Sequence, residues 1–553
     1  MESKPKKTYI NLMLKHTRFV NFFLAIALLP IQGCTGNLGP QVAKEIRAEA
    51  ILPNDSPKGH PLPLATSWKT GGYRKNGYEP DYQIDMIEQG HHLLPGFQLD
   101  RVQNSTDTAN MIDYYQKSLN KCSELSLPIS FISTQWESVL TNDKAYFGLP
   151  SAQNPNVVKA NGSVSPMVSP FGAIEPWSQV GKQWTATEVM RQLQAWYPNP
   201  PKVIFISNNE HSKLRWQDAN TDQRYIAHYD TNTTDETKRQ AVGQGWIERY
   251  RALQNGMRDG LANSNWKRNA IFVGYDAFGG SAFGRWGGWI NYSLYIPNRI
   301  EPCPLAWDGA SPSYYVNDWN PSTDYTVLSP QIESMNWIFM QDEANRLNPN
   351  FWFEMSVWDG SQPKKASDKR AFYAKQGQTY TPERYAGMVK FGMWLLRPRA
   401  VREFRGWVET RAETETYFLE IVKAVDNVYN NSVLKDFWRK GRLVPNPLHT
   451  HPYQSNIPVE YSSKARWFLL DTSLDPKRPW SLNTEIPVFS LCLEKGVTPQ
   501  REWLVYLHSP LGKHDKVKLT IPNYRDIEVD SNPSGNYYLV QEKSKTVKPL
   551  IAE

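Results

Sequence analysis

Between about residues 90 and 440 the chain alternates two hydrophobic patterns. Short apolar runs rich in β-branched residues read as buried strands, and longer stretches with an apolar residue every three or four positions read as helices. Eight strands are predicted: His92–Asp100, Pro128–Glu137, a weakly marked one within Ser163–Gly172, Val203–Glu210, Asn269–Asp276, Leu305–Asp308, Phe351–Met355 and Ala400–Trp407. Helices are predicted over Asn110–Leu125, Thr185–Trp196, Thr237–Leu261, Ser329–Asn345, Thr381–Leu396 and Glu413–Trp438. Thr185 or Thr187 caps the second of these, and Ser329-Pro330 and Thr381-Pro382 are N-cap and N1 pairs. Eight alternating units predict an α/β chain folded as a (β/α)8 TIM barrel over residues 66–440. No Gly-rich phosphate loop follows the first strand, which argues against an open dinucleotide-binding sheet.

After residue 441 the runs shorten and alternate with turn residues: Ala465–Leu470, Ile486–Leu493, Trp503–His508, Val517–Ile521 and Tyr537–Gln541. This predicts a small antiparallel β-sandwich over 441–553. Such a unit serves to stabilise the barrel or to bind glycan.

The N-terminus reads as an export signal. Lys4, Lys6, Lys7, Lys15 and Arg18 precede an apolar run, Phe19 to Ile31, too short to span a bilayer. It ends in Ile31-Gln32-Gly33-Cys34, which resembles a bacterial lipobox. Residues 1–33 are thus expected to be a lipoprotein signal, with Cys34 the lipid attachment site. The protein is then anchored in the bacterial cell envelope by lipid rather than spanning the membrane. Residues 34–65, polar and Pro-rich, read as a tether.

The formal net charge of +7 loses its weight once the signal is set aside: residues 1–33 carry four of those charges, leaving +3. No basic cluster interleaved with aromatics points to nucleic acid. The four cysteines, Cys34, Cys122, Cys303 and Cys492, have no zinc-site spacing, and sequence does not choose between one disulfide and free thiols. No metal or cofactor is implied, and no Gly-x-Ser-x-Gly elbow suggests an esterase.

Carboxylates at the predicted strand ends carry the chemistry: Asp100, Glu137, Glu210, Asp276, Asp308 and Glu354. Two of them on facing strand ends are what glycoside hydrolysis needs. The 21 Trp residues divide between core packing and stacking on sugar rings. Trp136, Trp177, Trp216, Trp286, Trp289, Trp307, Trp358 and Trp407 follow polar or loop-like residues and fit the second role.

With Asn209-Glu210 ending the fourth strand and Glu354 on the seventh, the chain resembles the clan A retaining glycoside hydrolases, over residues 68–440. The resemblance implies that Glu210 is the general acid/base and Glu354 the nucleophile, with carboxyls roughly 5 Å apart. Asn209 would bond the hydroxyl next to the anomeric carbon. An arginine, Arg101, Arg402 or Arg405, would keep the nucleophile charged. Asp276, Asp308, Asp359 and Glu137 are competitors, one of which replaces Glu354 if strand seven is miscounted by one. Trp136, Glu137, Asp276, Trp307, Asp308, Trp358 and Trp407 are candidate sugar contacts, and His91, His92 and His211 are expected to be structural or substrate-bonding. The substrate implied is a polysaccharide or its oligosaccharides, an algal galactan being one candidate. The rival reading is a non-catalytic, surface glycan-binding lipoprotein on the same scaffold, which requires one of the two glutamates to be misplaced.

Overall fold

The computed structural model describes residues 38–54, 56–68, 80–99, 105–133, 139–207, 212–275, 305–315, 334–358, 381–404, 411–448, 467–470 and 488–550, with 371, 374 and 379. The strands, in chain order, are β1 (Leu64–Trp68), β2 (Gly96–Leu99), β3 (Ile129–Ser133), β4 (Asn156–Val158), β5 (Val164–Val168), β6 (Val203–Ser207), β7 (Ala270–Gly274), β8 (Gly309–Ala310), β9 (Ser313–Tyr315), β10 (Trp352–Trp358) and β11 (Ala400–Phe404). β12 (Arg442–Leu443), β13 (Phe489–Lys495), β14 (Glu502–His508), β15 (His514–Thr520), β16 (Asp526–Ser531), β17 (Asn536–Gln541) and β18 (Thr546–Leu550) follow.

A parallel sheet runs in the order β1-β11-β10-β8-β7-β6-β3-β2, with β9 also pairing β10. The bridge Ala65–Leu93 brings the β2 segment back to β1 and closes the barrel. The register identifies the kind of barrel. Ala65 pairs Val401 and Val401 pairs Met355. Two residues below, Phe353 leads through Ala310, Gly274, Ser207 and Ser133 to Leu99. One circuit therefore arrives about eight residues above Leu93, the stagger of a (β/α)8 barrel.

Local sequence explains most elements. β6 is Val-Ile-Phe-Ile-Ser, buried throughout. Helix Glu188–Trp196 starts at Thr187, whose side chain accepts the Met190 N–H at 3.2 Å. Helix Asp235–Gly260 is capped by Thr234, and Pro382–Leu396 by Thr381 with Pro at its start. The predicted last helix is two, Arg411–Asn430 and Ser432–Lys440, because Asn431 leaves the helix and caps the second.

The strand count comes out right through two compensating differences. β1 lies within the expected tether and boundary. The predicted third strand is instead the antiparallel pair β4–β5, outside the barrel sheet. β6 is the fourth barrel strand either way, and β7, β8, β10 and β11 are the fifth to eighth. The tether is also corrected. Gly39–Ile51 is a helix that buries Val42, Ala43, Ile46 and Ala50 in the main core. Its Pro content misled, because Pro40 sits in the first turn, where a missing N–H costs nothing.

The C-terminal region is a five-stranded antiparallel sheet, β12-β13-β14-β17-β18, facing the hairpin β15–β16. Trp503, Val505, Leu519, Ile527, Val529 and Val540 form the core between them. The sheet's other face, with Phe489, Leu491, Tyr506 and Tyr537, joins the barrel core along helix Pro382–Leu396. There the Trp394 Nε1–H donates to the Tyr537 hydroxyl at 2.9 Å, and the Tyr506 hydroxyl donates to the Gly387 carbonyl. β16 and β18 carried no prediction, and 467–470 is not a strand. Cys122 and Cys492 are buried free thiols, raised by burial above the usual thiol range.

The barrel mouth as candidate active site

Parallel strands give the barrel two unlike ends, and function in this architecture belongs to the C-terminal one. The strands reach it at Leu99, Ser133, Ser207, Gly274, Trp358 and Phe404. Trp358 closes β10 and meets the Phe404 ring edge-on, at 5.2 Å and 81°. Nearby, the Ser313 hydroxyl donates to the Tyr275 hydroxyl at 2.9 Å, both side chains being buried. Neither residue was singled out by sequence. Tyr275 directly follows the last residue of β7, and that position was the available signal.

Asn209 and Glu210 lie two and three residues past Ser207, outside the described residues. Trp136, Glu137, Asp276, Asp359, Trp407 and His211 also lie outside them, each a few residues past the end of a barrel strand. Asp100, Arg101, Arg405, Trp286, Trp289, Cys34 and Cys303 are likewise outside.

Glu354 is the principal correction. β10 does not end near Met355 but continues to Trp358, so Glu354 is its third residue of seven. It pairs in register with Ala400, the first residue of β11, which pairs with Leu64, the first of β1. The side chain is therefore held in the lower half of the barrel, fully buried. Both oxygens are engaged. The Arg402 Nε donates to Oε2 at 2.7 Å and its Nη2 to Oε1 at 2.9 Å. The Trp352 Nε1–H reaches Oε1 at 2.8 Å and the Ser311 hydroxyl reaches Oε2 at 3.2 Å. Arg402 also donates to the Thr66 and Ser130 hydroxyls, at 3.4 and 3.3 Å. Beside this group, Gly96 lets β2 lie close to β1: an added Cβ there would stand 2.9 Å from the Ser67 carbonyl. Of the three candidate arginines, Arg402 is the partner. The arrangement is a bidentate pair with its lone pairs satisfied inside the barrel, the condition under which a buried ion pair is tolerated.

Asp308 and Trp307 are corrected as well. The sixth strand begins at Gly309, after both. The Asp308 N–H donates to the Phe272 carbonyl, and the Asp308 carbonyl accepts the Trp352 N–H. Its Oδ2 accepts the Phe272 N–H at 3.1 Å and stands 3.8 Å from Arg258. Burial raises its pKa, against the pull of the Phe272 N–H, Arg258 and Lys202. Lys202 and Arg399 precede β6 and β11, so this group lies at the N-terminal end, opposite the mouth. Trp307 is buried against Tyr250, ring centroids 4.9 Å apart. Trp177 and Trp216 are also buried, as core rather than sugar platforms. His92 has a structural place: it bonds Asp426 and Glu45, each at 2.9 Å, and stacks on Tyr429. His91 bonds Asp426 at 2.7 Å. Among the described residues no three His, Cys, Asp or Glu side chains converge on a metal-sized site.

No family model and no curated protein matches the chain. Among solved structures it is similar to a modular endo-β-1,4-mannanase from Cellulomonas fimi. The TM-score is 0.28 at 10% identity, over 79% of this chain and 86% of that one. No residue role is carried over from a likeness at that level.

Proposed function

We propose that this protein hydrolyses glycosidic bonds of a polysaccharide at the C-terminal mouth of its barrel, with Glu210 as general acid/base. One observation carries the reading: β6 is the fourth strand of an eight-strand barrel, and Asn209-Glu210 is the next polar pair in the chain past its end. Glu210 protonates the glycosidic oxygen as the bond breaks and then takes a proton from the attacking water. Asn209 bonds the neighbouring hydroxyl.

The second carboxylate belongs to the mouth and not to Glu354. Asp359, one residue past the end of β10, is the residue the observed strand boundary nominates. A separation of roughly 5 Å from Glu210 makes it the nucleophile of a retaining double displacement. A separation of roughly 6.5–9.5 Å makes it the base of an inverting reaction. Trp358 and Phe404 form part of the wall against which the sugar is held. Lipid attachment through Cys34 would keep the enzyme at the cell envelope.

A second reading, glycan binding without hydrolysis, gains from the withdrawal of Glu354 into the barrel. A panel of purified polysaccharides separates the two, incubated with wild type, Glu210→Gln and Asp359→Asn, with products sized and the anomer followed by NMR. Cleavage lost in both variants supports the proposal. Full activity in Glu210→Gln sinks it, and retained binding with no cleavage by wild type selects the second reading.

A further inference from the structure

We propose that the N-terminal face of the barrel is a membrane-facing surface that lies against the phospholipid bilayer, so that the mouth points away from it. The inference rests on the reading of Cys34 as the lipid attachment site and adds an orientation to it.

The expected 32-residue tether does not exist as such, because helix Gly39–Ile51 is packed into the core. Only Thr35, Gly36 and Asn37 separate Cys34 from Leu38. At full extension that stretch spans about 14 Å, so the lipid cannot hold the barrel far from the bilayer.

The helix lies across the N-terminal end of the barrel. Leu38 packs beside Gly90, which precedes β2. Glu45 bonds His92, and the Glu49 carboxylate accepts the Leu62 N–H at 2.9 Å just before β1. Beyond the helix, Asn54 bonds the Pro349 and Phe351 backbone and the Asn345 side chain, and accepts from Arg399. Every one of these partners precedes or flanks a strand's start.

What this face exposes suits a bilayer. Leu38, Ile51 and Leu347 are 48, 53 and 42% exposed, three of the six large apolar side chains so exposed among the described residues. Lys44 and Lys58 are exposed on the same stretch of chain, and Arg346, exposed beside Leu347, pairs with Glu343 at 3.0 Å. Exposed apolar side chains with lysines beside them favour insertion at an anionic lipid surface. None of the described helices is long and apolar enough to cross a membrane, so contact is superficial.

The test uses the full lipoprotein, purified and reconstituted in vesicles of phosphatidylethanolamine and phosphatidylglycerol carrying a headgroup nitroxide. A fluorophore is attached in a Cys303→Ser background, at Lys44→Cys or at Lys159→Cys. The native Cys122 and Cys492 are buried. Lys159 lies at the turn of the β4–β5 hairpin, the base of which bridges Lys213 through Val168 past the end of β6, on the mouth side. Quenching several-fold stronger at position 44 than at 159 is the expected result. Equal or reversed quenching, with lipid on Cys34 verified by mass, overturns the orientation and leaves the anchor standing. An unmodified Cys34 overturns the anchor and the orientation together.

Discussion

At the N-terminal end of the barrel, Lys202 and Arg399 stand over the Trp352 ring, 5.6 and 5.3 Å from its centre, with Asp308 near by. Burial pulls Lys202 down to about 8 and pushes Asp308 up. One layer higher, Glu354 and Arg402 neutralise each other. At the C-terminal end the described strands finish on aromatic rings and hydroxyls, Trp358 against Phe404 and Ser313 on Tyr275. The Glu354–Arg402 pair in the lower half is thus matched and enclosed, and serves to fill the barrel. The carboxylates on which the proposed chemistry draws, Glu210 and Asp359, come later in the chain than the strand ends. The difference teaches that a glutamate on a barrel strand is interpreted by its height along the barrel axis, since the same side chain is packing in one layer and reagent in another.

The sharpest way to break this contrast is through turnover. Glu210→Gln is expected to lower the hydrolysis rate by about 10²–10⁴-fold, with the urea midpoint unchanged. A Glu354→Gln variant that lost turnover to the same degree while keeping its stability would move the chemistry into the lower half and end the comparison.

Stability should show the opposite pattern. Arg402→Met strands a fully buried carboxylate and is expected to cost about 3–5 kcal/mol in equilibrium unfolding. Pairing it with Glu354→Leu should recover most of that loss. A single substitution costing under about 1 kcal/mol would mean that the pair is not what fills this layer.

Acid sharpens the comparison at a third place, the seam with the C-terminal sheet. His508 is buried, stacked on Phe489 at 5.3 Å. Burial, helped by Lys390, pulls its pKa down to about 3 from 6.5. The unfolded chain takes up this proton first, so stability is lost as pH falls from neutrality toward 3. About 2 kcal/mol is gone by pH 5. His508→Phe should flatten that limb in unfolding measured from pH 7 to 4, and an unchanged slope would count against the assignment.

The smallest effect is expected at Asp308. Its folded pKa is raised, so its contribution is largest below the unfolded carboxylate pKa and declines as pH rises through it. Its side chain is about a third exposed, which limits the change for Asp308→Asn at pH 7 to under about 1 kcal/mol. Turnover should be unaffected, and a large loss of activity would show that the N-terminal end takes part in the reaction.

Much of the architecture was legible in the chain. The period-two and period-3.6 patterns are written by burial on one face, so β3, β6, β7, β10 and β11 and the long helices were predicted close to where they lie. Thr187 and Thr381 marked helix starts because capping is a local hydrogen bond. What periodicity does not carry is the pairing of one strand with another. β1, five residues within a Pro-rich stretch, is a strand because β11 lies beside it. The predicted third strand has the right pattern but pairs outside the barrel.

For the candidate site the division is the same. Sequence alone determined that several carboxylates and aromatics come soon after strands in the chain, and that an Asn-Glu pair follows the fourth strand. Only the tertiary structure decided that Glu354 belongs to Arg402, that Asp308 faces the other end, and that helix Gly39–Ile51 covers the N-terminal face. The physical reason is that height along the barrel is set by register between neighbouring strands. A run such as Trp-Phe-Glu-Met-Ser-Val-Trp reads the same whether its glutamate lies in the second layer or at the rim.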